Sequence, residues 1–140
     1  MAEARWEHFA HGADIGVRGL GPNREAAFEQ AALALVAAAV DLREVKPEVR
    51  VEMHCTGTDD ELLLVQWLNA VLYEMATRHM VFGRFKLERS GPMLKGCAWG
   101  EPLNRKRHQL GTEVKGATLT GISVRQEPSG CWIAETVVDV

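Results

Sequence analysis

The stretch His8-Phe9-Ala10-His11-Gly12-Ala13-Asp14-Ile15-Gly16 packs two histidines, a carboxylate and two glycines between short apolar runs. Upstream, Trp6, His8 and Ala10 alternate with Arg5, Glu7 and Phe9, which predicts a strand running into a turn at His11-Gly12. A second short strand is expected at Ile15-Gly16-Val17-Arg18, ended by Gly19-Leu20-Gly21-Pro22. Glycine allows backbone angles that set the Asp14 side chain outward or close to a ligand. The far end of the chain reads Val138-Asp139-Val140, a carboxylate beside a terminal carboxylate. If the fold joins the two ends, Asp14, Asp139 and Val140 form an all-oxygen cluster.

Working outward, Asn23 is placed to cap a helix from Arg24 to about Val40, with Phe28, Ala31, Leu35 and Ala38 at helical spacing. Val49, Val51, Met53 and Cys55 alternate with Arg50, Glu52 and His54, a half-buried strand. Thr58-Asp59-Asp60-Glu61 matches a capping box, Thr58 capping an amide and Glu61 reaching back. A second helix follows from Asp59 to about Arg78, with Leu64, Trp67, Leu68, Val71, Leu72 and Met75 on its apolar face. The rest reads as strand: a hairpin around Ser90-Gly91-Pro92, a polar connection from Glu101 to Gly111, a long strand from Thr112 to Val124, a turn at Glu127-Pro128-Ser129-Gly130, and a final strand. This order predicts a single domain over residues 1–140, an α+β two-layer sandwich with two helices on one face of a mostly antiparallel sheet.

Composition excludes several classes. A formal net charge of −3 argues against a protein that coats nucleic acid, although a local basic patch is compatible with it. Cys55, Cys97 and Cys131 are far apart and form neither a disulfide framework nor a zinc signature, so reduced thiols and a cytoplasmic location are expected. The most apolar run, Ala31 to Val40, falls well short of the roughly 20 residues of a membrane span.

Several side chains remain as candidates. Asp14 serves either a ligand or its own turn backbone, and Asp139 is either a frayed tail carboxylate or part of an ordered strand end. Converging carboxylates repel unless a cation sits between them, and oxygen-only ligation suits a hard ion such as Ca²⁺ or Mg²⁺. His8 and His11 lack the i, i+4 helical spacing of zinc motifs, so a hydrogen bond or partner contact is expected of them. Glu113 and Lys115 share one side of their predicted strand. Arg105, Lys106 and Arg107 form a basic loop suited to phosphate or an acidic partner, or an ordinary polar connection. No nucleophile elbow or phosphate-binding glycine loop is present.

Glu7-His8-Phe9-Ala10-His11-Gly12-Ala13-Asp14-Ile15-Gly16 resembles the N-terminal motif of the archease family. Glu25-Ala26-Ala27-Phe28, Trp67-Leu68-Asn69, Gly100-Glu101-Pro102-Leu103, Gly111-Thr112-Glu113-Val114-Lys115 and the Val138-Asp139-Val140 ending agree in order along the whole chain. The chain departs from the pattern at His11-Gly12, which lengthens the motif, and at Asn104-Arg105, where Asp-Pro is common. The resemblance implies a cytosolic protein, not itself an enzyme, that activates an RtcB-type tRNA-splicing RNA ligase by promoting its guanylylation and repeated turnover. It also implies a divalent-metal site, Ca²⁺ first with Mg²⁺ or Mn²⁺ as alternatives, on Asp14, Asp139 and Val140. His8, His11, Glu113, Lys115 and the Arg105–Arg107 loop are then candidates for the partner surface. Two other functions compete: a general chaperone of RNA-processing proteins such as an RNA methyltransferase, and a stand-alone hydrolase using paired carboxylates.

Overall fold

A computed structural model describes residues 3–140. Its strands are β1 (Arg5–His11), β2 (Asp14–Gly21), β3 (Val49–Thr56), β4 (Met80–Ser90), β5 (Met93–Pro102), β6 (Gly116–Ala117), β7 (Ser123–Gln126) and β8 (Trp132–Asp139). Its helices are α1 (Arg24–Ala39) and α2 (Asp60–Arg78), with a short 3-10 turn at Leu42–Glu44. The α+β class is as expected, but the strands form two antiparallel sheets rather than one. One runs β1-β2-β8-β6, with β7 also paired to β8, and the other runs β3-β5-β4.

Both helices bridge the two sheets. Helix α1 packs on β2 and β8 of the first sheet and on β4 of the second, while α2 touches β3 and β4 on one side and β6 and β7 on the other. A helix contacted from several sides is apolar nearly all round, and α1 buries Ala27, Phe28, Ala31, Ala32, Ala34, Leu35 and Val36. Gly19 makes this approach close: a Cβ there would lie 2.0 Å from the Ala27 carbonyl oxygen. The pair Gly19 and Gly21 therefore extends β2 under the helix instead of ending it after Arg18. Trp67 links the helices, donating its indole N–H to the Phe28 carbonyl at 3.0 Å, and its ring meets Phe85 edge-on.

Two local expectations are corrected. Asp59, not Thr58, caps α2, its carboxylate accepting from the Glu61 and Leu62 amides. An acceptor directly before the first helical residue reaches those amides, whereas Thr58 stands one position too early. The expected long strand from Thr112 to Val124 is broken. Residues 112–115 form an irregular strap, β6 is two residues long, and the chain leaves it through a turn with Gly121 at φ 64° before β7. The buried Thr136 hydroxyl, in contact with the Thr118 and Thr120 carbonyls, holds that turn against β8. The three cysteines are free thiols, Cys55 and Cys97 buried.

Candidate functional site: the carboxylate end of the first sheet

His11 pairs with Asp14 across a two-residue turn in which Gly12 has φ 58°. A positive φ at the first of the two turn residues matches the type II′ hairpin turn, which glycine adopts without a Cβ penalty. From that turn β2 runs antiparallel to β8, with Ile15 opposite Val138 and Gly16 opposite Val137. Continuing this register by one step sets Asp14 opposite Asp139. Directly opposed residues of antiparallel strands project on the same side, with Cβ atoms roughly 4.5–5.5 Å apart. The chain end is not frayed: Asp139 is paired with Gly116 on its other side, its carbonyl accepts the Lys115 amide at 2.8 Å, and Val140 is partly buried against the core.

The row across the sheet is thus His11, Asp14, Asp139 and Gly116. Asp139 is exposed and Asp14 half-buried, and among the described residues neither carboxylate has an ion-pair partner. No group of three or more His, Cys, Asp or Glu side chains among the described residues is arranged to hold a metal. A cation held here would need further oxygens from the main chain, and Val140 is the nearest in sequence.

The other candidates divide between this end and elsewhere. Lys115 joins Asp139 through its backbone, and Glu113 and Lys115 line a shallow cleft of about 450 Å³ with Asn69, Leu72, Tyr73, Ala76 and Val114. Asn69 fastens α2 to this end, its side chain accepting from the Ala117 amide at 2.9 Å. The ring of His8 lies elsewhere, its Nε2 2.7 Å from the Ala34 carbonyl of α1, which makes Nε2 the protonated nitrogen. His11 is exposed at the turn.

Arg107 is not a free cation. It is paired with Glu101, and its Nη1 donates to the Glu44 carbonyl at 2.8 Å. Glu101, only 6% exposed, also accepts the Lys46 amide at 2.7 Å and the His108 Nε2–H at 3.0 Å. The fully buried His108 accepts the Asn104 amide on Nδ1. Burial works against a charged Glu101, but Arg107, the Lys46 amide and His108 outweigh it and hold its carboxyl at about 2. Arg105 and Lys106 stay exposed at the tip of this anchored loop.

Next to the carboxylate end, the same side of the first sheet carries a charge ladder that sequence reading missed. Arg18 pairs with Glu7 and Glu135, and Glu135 also pairs with Arg125. The alternating strand positions of Glu7, Arg18 and Glu135 were visible in sequence, but their cross-strand register was not.

The archease protein family (MTH1598/TM1083) matches residues 6–140. The archease protein of Pyrococcus furiosus is 37% identical over 140 residues, covering 97% of this chain and 99% of that protein. That of Pyrococcus abyssi is 40% identical over 141 residues, again covering 97% and 99%. Among solved structures, protein 1598 of Methanobacterium thermoautotrophicum superposes with a TM-score of 0.80 at 28% identity, covering 96% of this chain and 98% of that one. A Thermotoga maritima archease, described as a possible chaperone, shares the fold with a TM-score of 0.64 at 18% identity, covering 94% of each chain. This chain belongs to the archease family.

Proposed function

We propose that this protein activates an RtcB-type RNA ligase in tRNA splicing and RNA repair, promoting ligase guanylylation and multiple turnover without being the ligase itself. The observation that carries this reading is the β2–β8 register, which sets Asp14 beside Asp139 at an ordered strand end, where neither has an ion-pair partner among the described residues. Two carboxylates and a main-chain oxygen of Val140 are an all-oxygen donor set and fit a hard divalent cation, Ca²⁺ before Mg²⁺ or Mn²⁺. Asp14 and Asp139 would hold it. A bound cation would supply positive charge at this end and neutralise the pair. The partner surface would then include Glu113 and Lys115, joined to this end through the Lys115–Asp139 bond. A ligase turnover assay with Asp14→Ala and Asp139→Ala tests the reading: loss of stimulation in both, with unchanged circular dichroism, is expected. Full stimulation by both variants would overturn it.

A second reading, a chaperone or modulator of other RNA-processing proteins, draws on the exposed apolar side chains Tyr73, Leu62 and Leu119, which are 65%, 58% and 58% accessible. It predicts partner binding that survives loss of both carboxylates.

A further inference from the structure

The second sheet has one side packed on the helices and one side bare. Val51, Met53, Cys55, Phe85, Leu87, Leu94 and Ala98 point inward and are buried. The alternate positions form rows across the outer face, read directly from the strand register. Arg50, Trp99 and Arg84 make one row, Glu52, Cys97 and Lys86 the next, and His54, Lys95 and Glu88 a third. Glu101 continues the same side of β5 beyond Trp99. Because Glu101 holds Arg107 and His108, the 104–108 loop is anchored at that end of the face, with Arg105 and Lys106 exposed.

This face is electrically unlike the chain that carries it. The protein has a net charge of −3, yet Arg50, Arg84, Lys86, Lys95, Arg105 and Lys106 gather here against Glu52 and Glu88. Glu52 is engaged by Arg50 and Lys95. Among the described residues Arg84, Lys86, Arg105 and Lys106 make no ion pair within 4 Å. At the centre is a half-buried indole with the Arg84 guanidinium 4.8 Å from its ring centroid. Arg50 is held from the opposite strand, its Nη2 3.1 Å from the Cys97 sulfur.

We infer that the outer face of the β3-β5-β4 sheet, centred on Trp99 and Arg84, binds a short segment of single-stranded nucleic acid. Indole rings and guanidinium planes both stack on bases, so Trp99 and Arg84 supply stacking surfaces for a base. Successive rows lie about 6.7 Å apart along the strands, which lets Lys86 and Lys95 on one side and the Arg105–Lys106 loop on the other follow an extended phosphate backbone. A duplex offers no free base faces to the stack, and an acidic peptide satisfies the cations but leaves the indole unused.

The test uses the full chain alone, without ligase, so its outcome is independent of the ligase reading. Anisotropy of a labelled single-stranded RNA of about eight nucleotides is followed through a salt series. Binding that weakens with salt is expected. Trp99→Ala should weaken it by about fivefold or more, and Trp99→Phe should retain most of it. Lys86→Glu, at an exposed and unpaired position, should weaken binding and lower the salt slope by at least about one. Should Trp99→Ala fail to fold, Lys86→Glu and Arg84→Gln decide, each expected to weaken binding. No binding by the wild type at low salt would overturn the inference. So would affinity unchanged by Trp99→Ala and Lys86→Glu (or, in the fallback, by Lys86→Glu and Arg84→Gln), equal binding of the matching duplex, or displacement of the RNA by polyglutamate at equal charge concentration.

Discussion

Glu101 and the Asp14–Asp139 pair are both carboxylate centres at strand ends, and the molecule treats them in opposite ways. Glu101 is buried and fully engaged, accepting from Arg107, His108 and the Lys46 amide. Asp14 and Asp139 sit side by side in register, partly or fully exposed, with no ion-pair partner among the described residues. A carboxylate whose acceptor sites are filled from within fastens the structure. Asp14 and Asp139, with no ion-pair partner among the described residues, fasten nothing in this way. The contrast separates a structural clasp from a candidate binding end, although both are simply acidic residues in sequence.

The largest effect is expected at the clasp. Glu101→Ala strands the buried His108 and removes the partner of Arg107, so it should cost about 3–5 kcal/mol in urea unfolding. A cost below about 1 kcal/mol would show that Glu101 is no clasp. The acid limb sharpens the point. The carboxyl of Glu101 is lowered from 4.5 to about 2, so its contribution is fully present above about pH 4.5 and disappears as pH falls toward 2. The stability gap between wild type and Glu101→Gln should therefore narrow across that window. A gap that stays constant from neutral pH down to pH ~2 contradicts this account. The smallest effect is expected at the other centre. Asp14→Asn and Asp139→Asn, without added divalent ions, should each shift stability by less than about 0.5 kcal/mol, since they break no internal ion pair. A loss of several kcal/mol would make this pair structural and erase the contrast.

What could be read in advance follows the range of the physics. Helix α1 over Arg24–Ala39 and strand β3 over Val49–Thr56 were legible because their apolar spacing is periodic within one segment. The cap of α2 was misplaced by one residue because Thr58 and Asp59 are both competent caps and only the backbone path chooses between them. The strap at Thr112–Lys115 read as strand because its alternation matches one. Its Thr112 amide instead bonds the Ala38 carbonyl of α1 and its Lys115 amide the Asp139 carbonyl, partners no local pattern announces. At the site, Asp14 was marked by its turn and Asp139 by its place after Val137-Val138. Arg107 was marked only by charge, and charge does not say whether a guanidinium faces solvent or a buried glutamate.

The helices, the hairpin turns and the chemical character of both chain ends follow from side-chain periodicity and backbone preference within a few residues. The split of the strands into two sheets around α1 is set by long-range pairing, since sheet membership depends on segments far apart in the chain. Long-range pairing also docks β8 between β2 and the β6–β7 segment. That docking fixes a register in which a shift of one residue would turn Asp139 to the opposite side of the sheet from Asp14.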